Sequence, residues 1–347
     1  MTALPAPRIP SPVDAPALRW GIMGPGRIAD VLARSLCEHT RQRLSAVASR
    51  SEERGAEFAR RHGIPRVHAS YEALAADPDI DVIYIATPNP LHARCALLAI
   101  EAGKHVVVEK PFAMDGPEAE RVAEAAARRG VFAMEAMWPR FLPAMDVVRQ
   151  VLADGLIGEP RALVADLGEY FPPDPQGRLF DPALGGGALY DLGVYLVSFA
   201  SFVLGGPDRV LASGSFTDTG VDAQSSIVLR GPGGRQAHLF TTLEGPTGTA
   251  ATITGTAGVL RLASPFYLPG SVELIGHPDV AGASRSAEAR FPQARPDEGL
   301  CFEAAEAARC IASGAIGTPL MPLAETVDIA HTMDRIRNEL VKDSMSI

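Results

Sequence analysis

Between residues 17 and 136, short apolar runs alternate with amphipathic segments of helical period, and that alternation leaves few folds open. Ala17–Met23, Leu44–Ala48, Asp81–Ala86, His105–Val108 and Val131–Ala136 read as strands. Arg27–Cys37, Glu53–Arg61, Pro90–Ala102 and Pro117–Arg129 read as the helices between them, and Gly103 and Gly130 stop two of these before the next strand. Strands that alternate with helices lie parallel, because a parallel return needs a crossover, and such a sheet is covered on both faces. The expectation is an α/β domain over residues 18–138 with a doubly wound parallel sheet.

The pattern changes near residue 155. Phe171–Gly187 is rich in Pro and Gly and reads as a long loop, and Ala188–Leu204 as an apolar helix. From Arg209 to about Ile275 the period is two, with Gly231–Gly234 (GPGG) as a hairpin turn. Residues 139–322 are therefore expected to form an α+β domain with a mostly antiparallel sheet. Gly276–Pro296 lacks periodicity and reads as an exposed loop; Gly299–Ser313 and Leu323–Val341 read as helices, the second within a terminal segment 323–347. Residues 1–17 hold Pro5, Pro7, Pro10, Pro12 and Pro16 and read as an extended or disordered arm, able to wrap a neighbouring subunit.

Bulk properties exclude some partners. A net charge of −9 argues against nucleic acid, whose phosphates demand a basic surface. No stretch was expected to reach the ~18–20 apolar residues that a membrane helix requires. Cys37, Cys95, Cys301 and Cys310 lack metal-site spacing and read as reduced, mostly buried thiols; with no apolar leader, a cytoplasmic location is expected, and no metal.

Gly24, Gly26 and Ala29 fit GxGxxG/A between the first strand and the first helix. Gly24 permits the tight turn, Gly26 lets a pyrophosphate approach the backbone, and Ala29 lets the helix pack close. The anion would sit at the helix N-terminus, so Gly24, Pro25, Gly26, Arg27 and Ile28 are candidate dinucleotide contacts. The second strand ends in Ser49-Arg50, where NAD enzymes place a carboxylate; a hydroxyl and a guanidinium suit a 2′-phosphate, so NADP is expected and NAD less so. Thr87, Pro88, Asn89 and His92 follow a strand end and read as cofactor lining, and Glu109-Lys110 ends the next strand.

The chain has 3 lysines against 29 arginines, so a lysine at a ligand-facing strand end suggests a need that Arg cannot meet. Lys can be shifted in pKa and can polarise a carbonyl or pass a proton, although the same position suits a residue that only anchors a ribose. Asp191 and Tyr195 lie four apart on an otherwise apolar helix that follows Gly185-Gly186-Gly187. A phenol near an ammonium suits acid–base work; a helix-initiating Asp and a core Tyr would look the same.

Together, Gly21–Ala29 (GIMGPGRIA), Ser49-Arg50, Glu109-Lys110-Pro111, Glu135–Phe141 (EAMWPRF), Gly185–Tyr195, Ile253–Gly258 and Pro319–Glu325 resemble the glucose–fructose oxidoreductase/inositol dehydrogenase-like (Gfo/Idh/MocA) oxidoreductases. Within that family the resemblance is to the branch of dimeric dihydrodiol dehydrogenases and NADP-dependent sugar dehydrogenases. It spans roughly residues 18–341. It implies a Rossmann domain, a second domain with an open sheet, and a final helix packing back towards the Rossmann domain. It implies hydride transfer between the nicotinamide and a CH–OH/C=O centre of a sugar, polyol or vicinal diol. It also implies Glu109 and Lys110 at the nicotinamide ribose, Lys110 at the reacting oxygen, Tyr195 as proton donor or acceptor, and Asp191 orienting substrate or Tyr195. Trp138 and Arg140 are then expected near nicotinamide and substrate, and a homodimer or homotetramer through the sheet. Pro25 departs from the small or polar residue usual in the glycine loop. Loops near Trp138, Phe171 and Phe180 would shape the pocket, and Pro172–Gly187 would act as a lid. Two rivals are an NADP-binding sensor without catalysis and a glycosidase-like enzyme that keeps its nicotinamide bound.

Overall fold

The computed structural model describes residues 3–277, 279–280, 286–291 and 296–345. The chain divides into two compact units: Pro10–Leu142 with Ala294–Ala330, and Met1–Ile9 with Pro143–Gln293 and His331–Ile347.

The first unit carries the parallel sheet. Its elements run β1 (Arg19–Met23), α1 (Arg27–His39), β2 (Arg43–Ala48), α2 (Glu52–His62), β3 (Arg66–His68), α3 (Tyr71–Ala75), β4 (Val82–Ile85), α4 (His92–Glu101), β5 (His105–Glu109), α5 (Gly116–Arg129) and β6 (Ala133–Ala136). The strand order is β3-β2-β1-β4-β5-β6 and every pairing is parallel. The order reverses between β1 and β4, the crevice at which doubly wound sheets bind ligands. The alternation that marks the strands in the sequence thus produces the doubly wound sheet expected from it. Ile22, Val47, Ile83, Ile85, Val106 and Val108 are fully buried, which is why these strands read as continuous apolar runs. The short pair β3 and α3 gives too weak a periodic signal to read from sequence.

The second unit holds α6 (Pro143–Ala153), β7 (Pro160–Gly168), α7 (Val194–Leu204) and strands β8 (Arg209–Phe216), β9 (Asp222–Arg230), β10 (Gln236–Thr242), β11 (Ala251–Gly255), β12 (Gly258–Leu262), β13 (Ser271–Gly276) and β14 (Ala287–Arg290). They form one sheet, β14-β13-β12-β11-β7-β10-β9-β8, antiparallel except where β7 meets β10. The GPGG turn joins β9 to β10 as expected. The region expected to be loop from Gly276 contains β14, paired with β13; residues 278, 281–285 and 292–295 of that expectation lie outside the described residues.

Helix α7 packs on β7 and β10. By length and composition the segment Pro182–Leu204 passes for a membrane span, contrary to the expectation that no stretch would; yet 78% of its most apolar window is buried inside the protein, as in a core helix. The opposite face of the sheet carries exposed apolar residues. Across it Leu211, Val228, His238 and Val164 stand in register on four strands, and Val164 is 57% exposed. Helices α8 (Pro296–Ala312) and α9 (Leu323–Ser344) close the chain, and α9 contributes its first residues to one unit and its last to the other.

The proline-rich arm is ordered over its described residues. In one unit the Ala6 carbonyl accepts from Gln150 Nε2 at 2.9 Å and the Arg8 N–H donates to Asp146 Oδ2 at 2.7 Å. In the other, Arg309 donates to the Pro10 and Ser11 carbonyls, Arg41 to that of Val13, and Gln42 to that of Pro16. Ala15 is buried against Ala305 and Ala308. These contacts join the arm to side chains of its own chain.

Candidate active site

The parallel sheet aligns the predicted cofactor residues along one edge. Gly24 follows β1 with φ +91° and its N–H bonded to the Ala48 carbonyl at 3.1 Å; a Cβ there would lie 2.8 Å from the Ala86 carbonyl oxygen. Only glycine fits. Gly26 is the N-cap of α1, no side chain caps this helix end, and a Cβ at 26 would meet nothing nearer than 3.8 Å. An uncapped first turn facing open space is what a pyrophosphate needs, so the residues present fit a dinucleotide. Pro25 removes one N–H from the turn, and Arg27 is exposed beside partly buried Ile28.

Ser49 follows β2, buried, with its hydroxyl accepting the Ser51 N–H at 3.2 Å. Arg50 is exposed and lies beside the Tyr71 phenol, whose pKa burial raises and that guanidinium opposes. Thr87 and Asn89, both buried, and Pro88 follow β4 on the same edge. Glu109 ends β5; its carboxylate accepts the Tyr84 hydroxyl and, at 3.1 Å, the N–H of Lys110, which is partly buried.

His92 departs from the expected role. It is 1% exposed, and its ring nitrogens lie 2.8 Å from the Thr87 and Pro111 carbonyls, with burial driving its pKa down. No imidazole surface is left to line a cofactor; the side chain ties the loop after β4 to the loop that follows Lys110. Arg140 departs too. At 4% exposure it is committed to Glu325, 2.8 Å away, and burial lowers its pKa against that pairing. It acts as an internal ion pair that holds the start of α9, since a buried cation demands a partner. Trp138 is buried against α8, where a Cβ on Gly299 would come within 2.8 Å of its ring.

Two buried acids in this unit escaped the sequence reading as titrating groups. Burial raises Glu135 to about 7, against the pull of the Phe112 N–H and Arg140. Glu303 is 1% exposed, neither oxygen has a hydrogen-bond partner among the described residues, and burial with Glu109 nearby raises it well above normal. Its signal in the sequence was faint: Glu303 is one of two carboxylates, with Glu306, in the otherwise apolar run Leu300–Ala308. An acid whose pKa is higher folded than unfolded binds its proton more tightly when folded, so its stabilisation is complete below the unfolded pKa and is lost as pH rises through the folded one. Glu303→Gln has no such proton to lose. Its melting temperature should gain on the parent between pH 5 and pH 8, and an unchanged gap across that range in calorimetry would disprove a protonated Glu303.

In the other unit, the loop before α7 ends in Gly185 (φ +68°), Gly186 and Gly187 (φ +110°). Leu189–Gly193 then forms a π turn that runs into α7, a geometry frequent at functional sites. Asp191, on that turn, pairs with Arg178 at 2.8 Å; Tyr195, partly buried in the first turn of α7, stacks its ring 5.6 Å from that of Tyr267. Arg178 was not foreseen, because its loop offers no period to place it. Phe180 is buried, and Phe171 is partly buried with its N–H on the Leu243 carbonyl.

A family profile described as "Oxidoreductase family, NAD-binding Rossmann fold" matches residues 18–137, and the GFO/IDH/MocA C-terminal domain matches residues 145–261. Pig (Sus scrofa) trans-1,2-dihydrobenzene-1,2-diol dehydrogenase is 35% identical over 335 residues, covering 93% of this chain and 97% of its own. Among solved structures, levoglucosan dehydrogenase in complex with NADH and levoglucosan superposes with a TM-score of 0.84 at 23% identity, over 94% of this chain and 98% of its own, and attests the fold alone. KijD10, a 3-ketoreductase from Actinomadura kijaniata in complex with NADP and TDP-benzene, has a TM-score of 0.79 at 28% identity over 94% and 98%. Matched in both halves and along nearly its whole length, the chain belongs to the GFO/IDH/MocA family of oxidoreductases.

Proposed function

We propose that this oxidoreductase uses NADP to interconvert a CH–OH and a C=O centre on a sugar, polyol or vicinal diol. One observation carries the reading: an open glycine turn, a Ser49-Arg50 strand end without a carboxylate, and Lys110 share one edge of the sheet, around its reversal point. The names of the relatives, a dihydrodiol dehydrogenase and an NADP-bound 3-ketoreductase, support the substrate and cofactor classes.

NADP bound there supplies or accepts the hydride. Residues Gly24–Ile28 hold the pyrophosphate against the N-terminus of α1. Arg50 pairs with the 2′-phosphate, with Ser49 beside it. Glu109 fixes the Lys110 backbone. The Lys110 ammonium stabilises negative charge on the substrate oxygen, and the Tyr195 phenol exchanges that oxygen's proton, with Asp191 holding the substrate's other hydroxyls. Fixed charge aimed at a developing oxyanion contributes most where water is excluded.

A screen at 340 nm with NADP(H) and NAD(H) against sugars, inositols, vicinal diols and dicarbonyls tests this. NADP is expected to bind more tightly than NAD, and Arg50→Ala to weaken NADP by about 10- to 100-fold, the worth of one charged hydrogen bond, while leaving NAD unchanged. Tighter binding of NAD to the parent protein would overturn the cofactor assignment.

A further inference from the structure

Asp191 sits on a turn of unusual pitch that leads directly into the first turn of α7, where Tyr195 lies, and one partly buried acid bonds to the start of that turn. Asp222 is the first residue of β9. Its Oδ2 accepts the N–H of Leu189, the first residue of the π turn, at 2.7 Å, and lies 3.5 Å from the Ser225 hydroxyl. Its Oδ1 occupies the space beside Gly187: a Cβ there would come within 2.1 Å of it. On the neighbouring residue, a Cβ at Gly186 would lie 2.5 Å from the Leu179 carbonyl oxygen. The two glycines are thus threaded between a backbone carbonyl and the Asp222 carboxyl, and at the last of the three both the φ of +110° and the neighbouring acid exclude a side chain.

We propose that Asp222 is a positioning residue for catalysis, fixing the π turn Leu189–Gly193 so that Asp191 and Tyr195 are presented in their working register. This rests on the role given to Tyr195 above. A π turn closes its hydrogen bonds one residue later than an α turn. Relaxation to α geometry would swing Asp191 relative to Tyr195 by up to ~100°, the angle of one helical residue. The bond to the Leu189 N–H and the block beside Gly187 together hold the chain out of that relaxation. Burial raises the Asp222 carboxyl to about 7, so near neutrality asparagine is a fair mimic that keeps one accepting oxygen.

The test uses the full chain, with turnover measured on the best substrate of the 340 nm screen. Asp222→Ala should lower kcat between about 10- and 100-fold, the usual effect of a small misplacement. KM for NADP(H) and its binding should hold, and deuterium exchange in the peptide spanning 187–195 should accelerate. Asp222→Asn should recover most of kcat. Gly187→Ala presses on the same carboxyl from the other side, strains the backbone at φ +110° as well, and should lower kcat likewise, which keeps the test alive if Asp222→Ala fails to fold.

The inference is overturned if both single variants keep kcat while only the melting temperature drops, or if Asp222→Asn is as slow as Asp222→Ala. With Tyr195→Phe slow in the same assay, either result leaves the proposed function standing and removes only Asp222. Full turnover by Tyr195→Phe would remove both.

Discussion

Tyr195→Phe should lower kcat by about 100-fold or more, the scale of general acid–base help from one positioned group. The ring that stacks on Tyr267 is retained, so the fold and the melting temperature should change little. Only the hydroxyl is lost. NADP binding, assigned to the other unit, should not respond. The pH profile offers an independent readout, since a phenol that exchanges the substrate's proton contributes one limb of the curve and phenylalanine removes it. A variant with full turnover on a good substrate would end the acid–base role of this residue.

The second large effect is expected at Lys110. Lys110→Met should cost about 100- to 1000-fold in kcat, comparable to deleting a donor aimed at a developing oxyanion. Lys110→Arg is the sharper experiment. Guanidinium keeps the charge, but its planar fork and permanent protonation differ from a compact ammonium. If the site needs only a cation, arginine restores activity. If it needs the compact, tunable group, Lys110→Arg stays slow while cofactor titration is normal. The sequence favours the second outcome, because it uses arginine at 29 positions and lysine at 3.

Much of this architecture was legible because it depends on local periodicity. Strands buried on both faces betray themselves as apolar runs, and Gly24 betrays itself because no other residue fits under the Ala86 carbonyl. What escaped depends on contacts between distant residues. Arg140 looks like a ligand-facing cation until Glu325, 185 positions away, is brought against it. His92 looks like pocket lining until the carbonyls of Thr87 and Pro111 close on its ring. The π turn is invisible in Leu189–Gly193 because the same residues suit an α-helix; the acid that bonds to its first N–H, Asp222, reads in the sequence only as the polar start of a strand. Likewise β14 is a real element, but its four residues alternate small and charged side chains and do not rise above the pattern of a loop; α6, by contrast, carries apolar residues 144, 147, 148 and 151 at helical spacing and was legible.

The docked N-terminal segment has an evolutionary consequence. It is gripped through main-chain oxygens at 6, 10, 11, 13 and 16, which every amino acid carries, and through one amide hydrogen at 8, which every amino acid but proline supplies. Outside Ala15, buried against Ala305 and Ala308, and Arg8, whose side chain pairs with Asp146, its own spelling is therefore free to drift. The selective constraint falls on the receiving side chains, Arg41, Gln42, Asp146, Gln150 and Arg309, and in homologous chains those five should vary together with the presence of the segment and not with its letters.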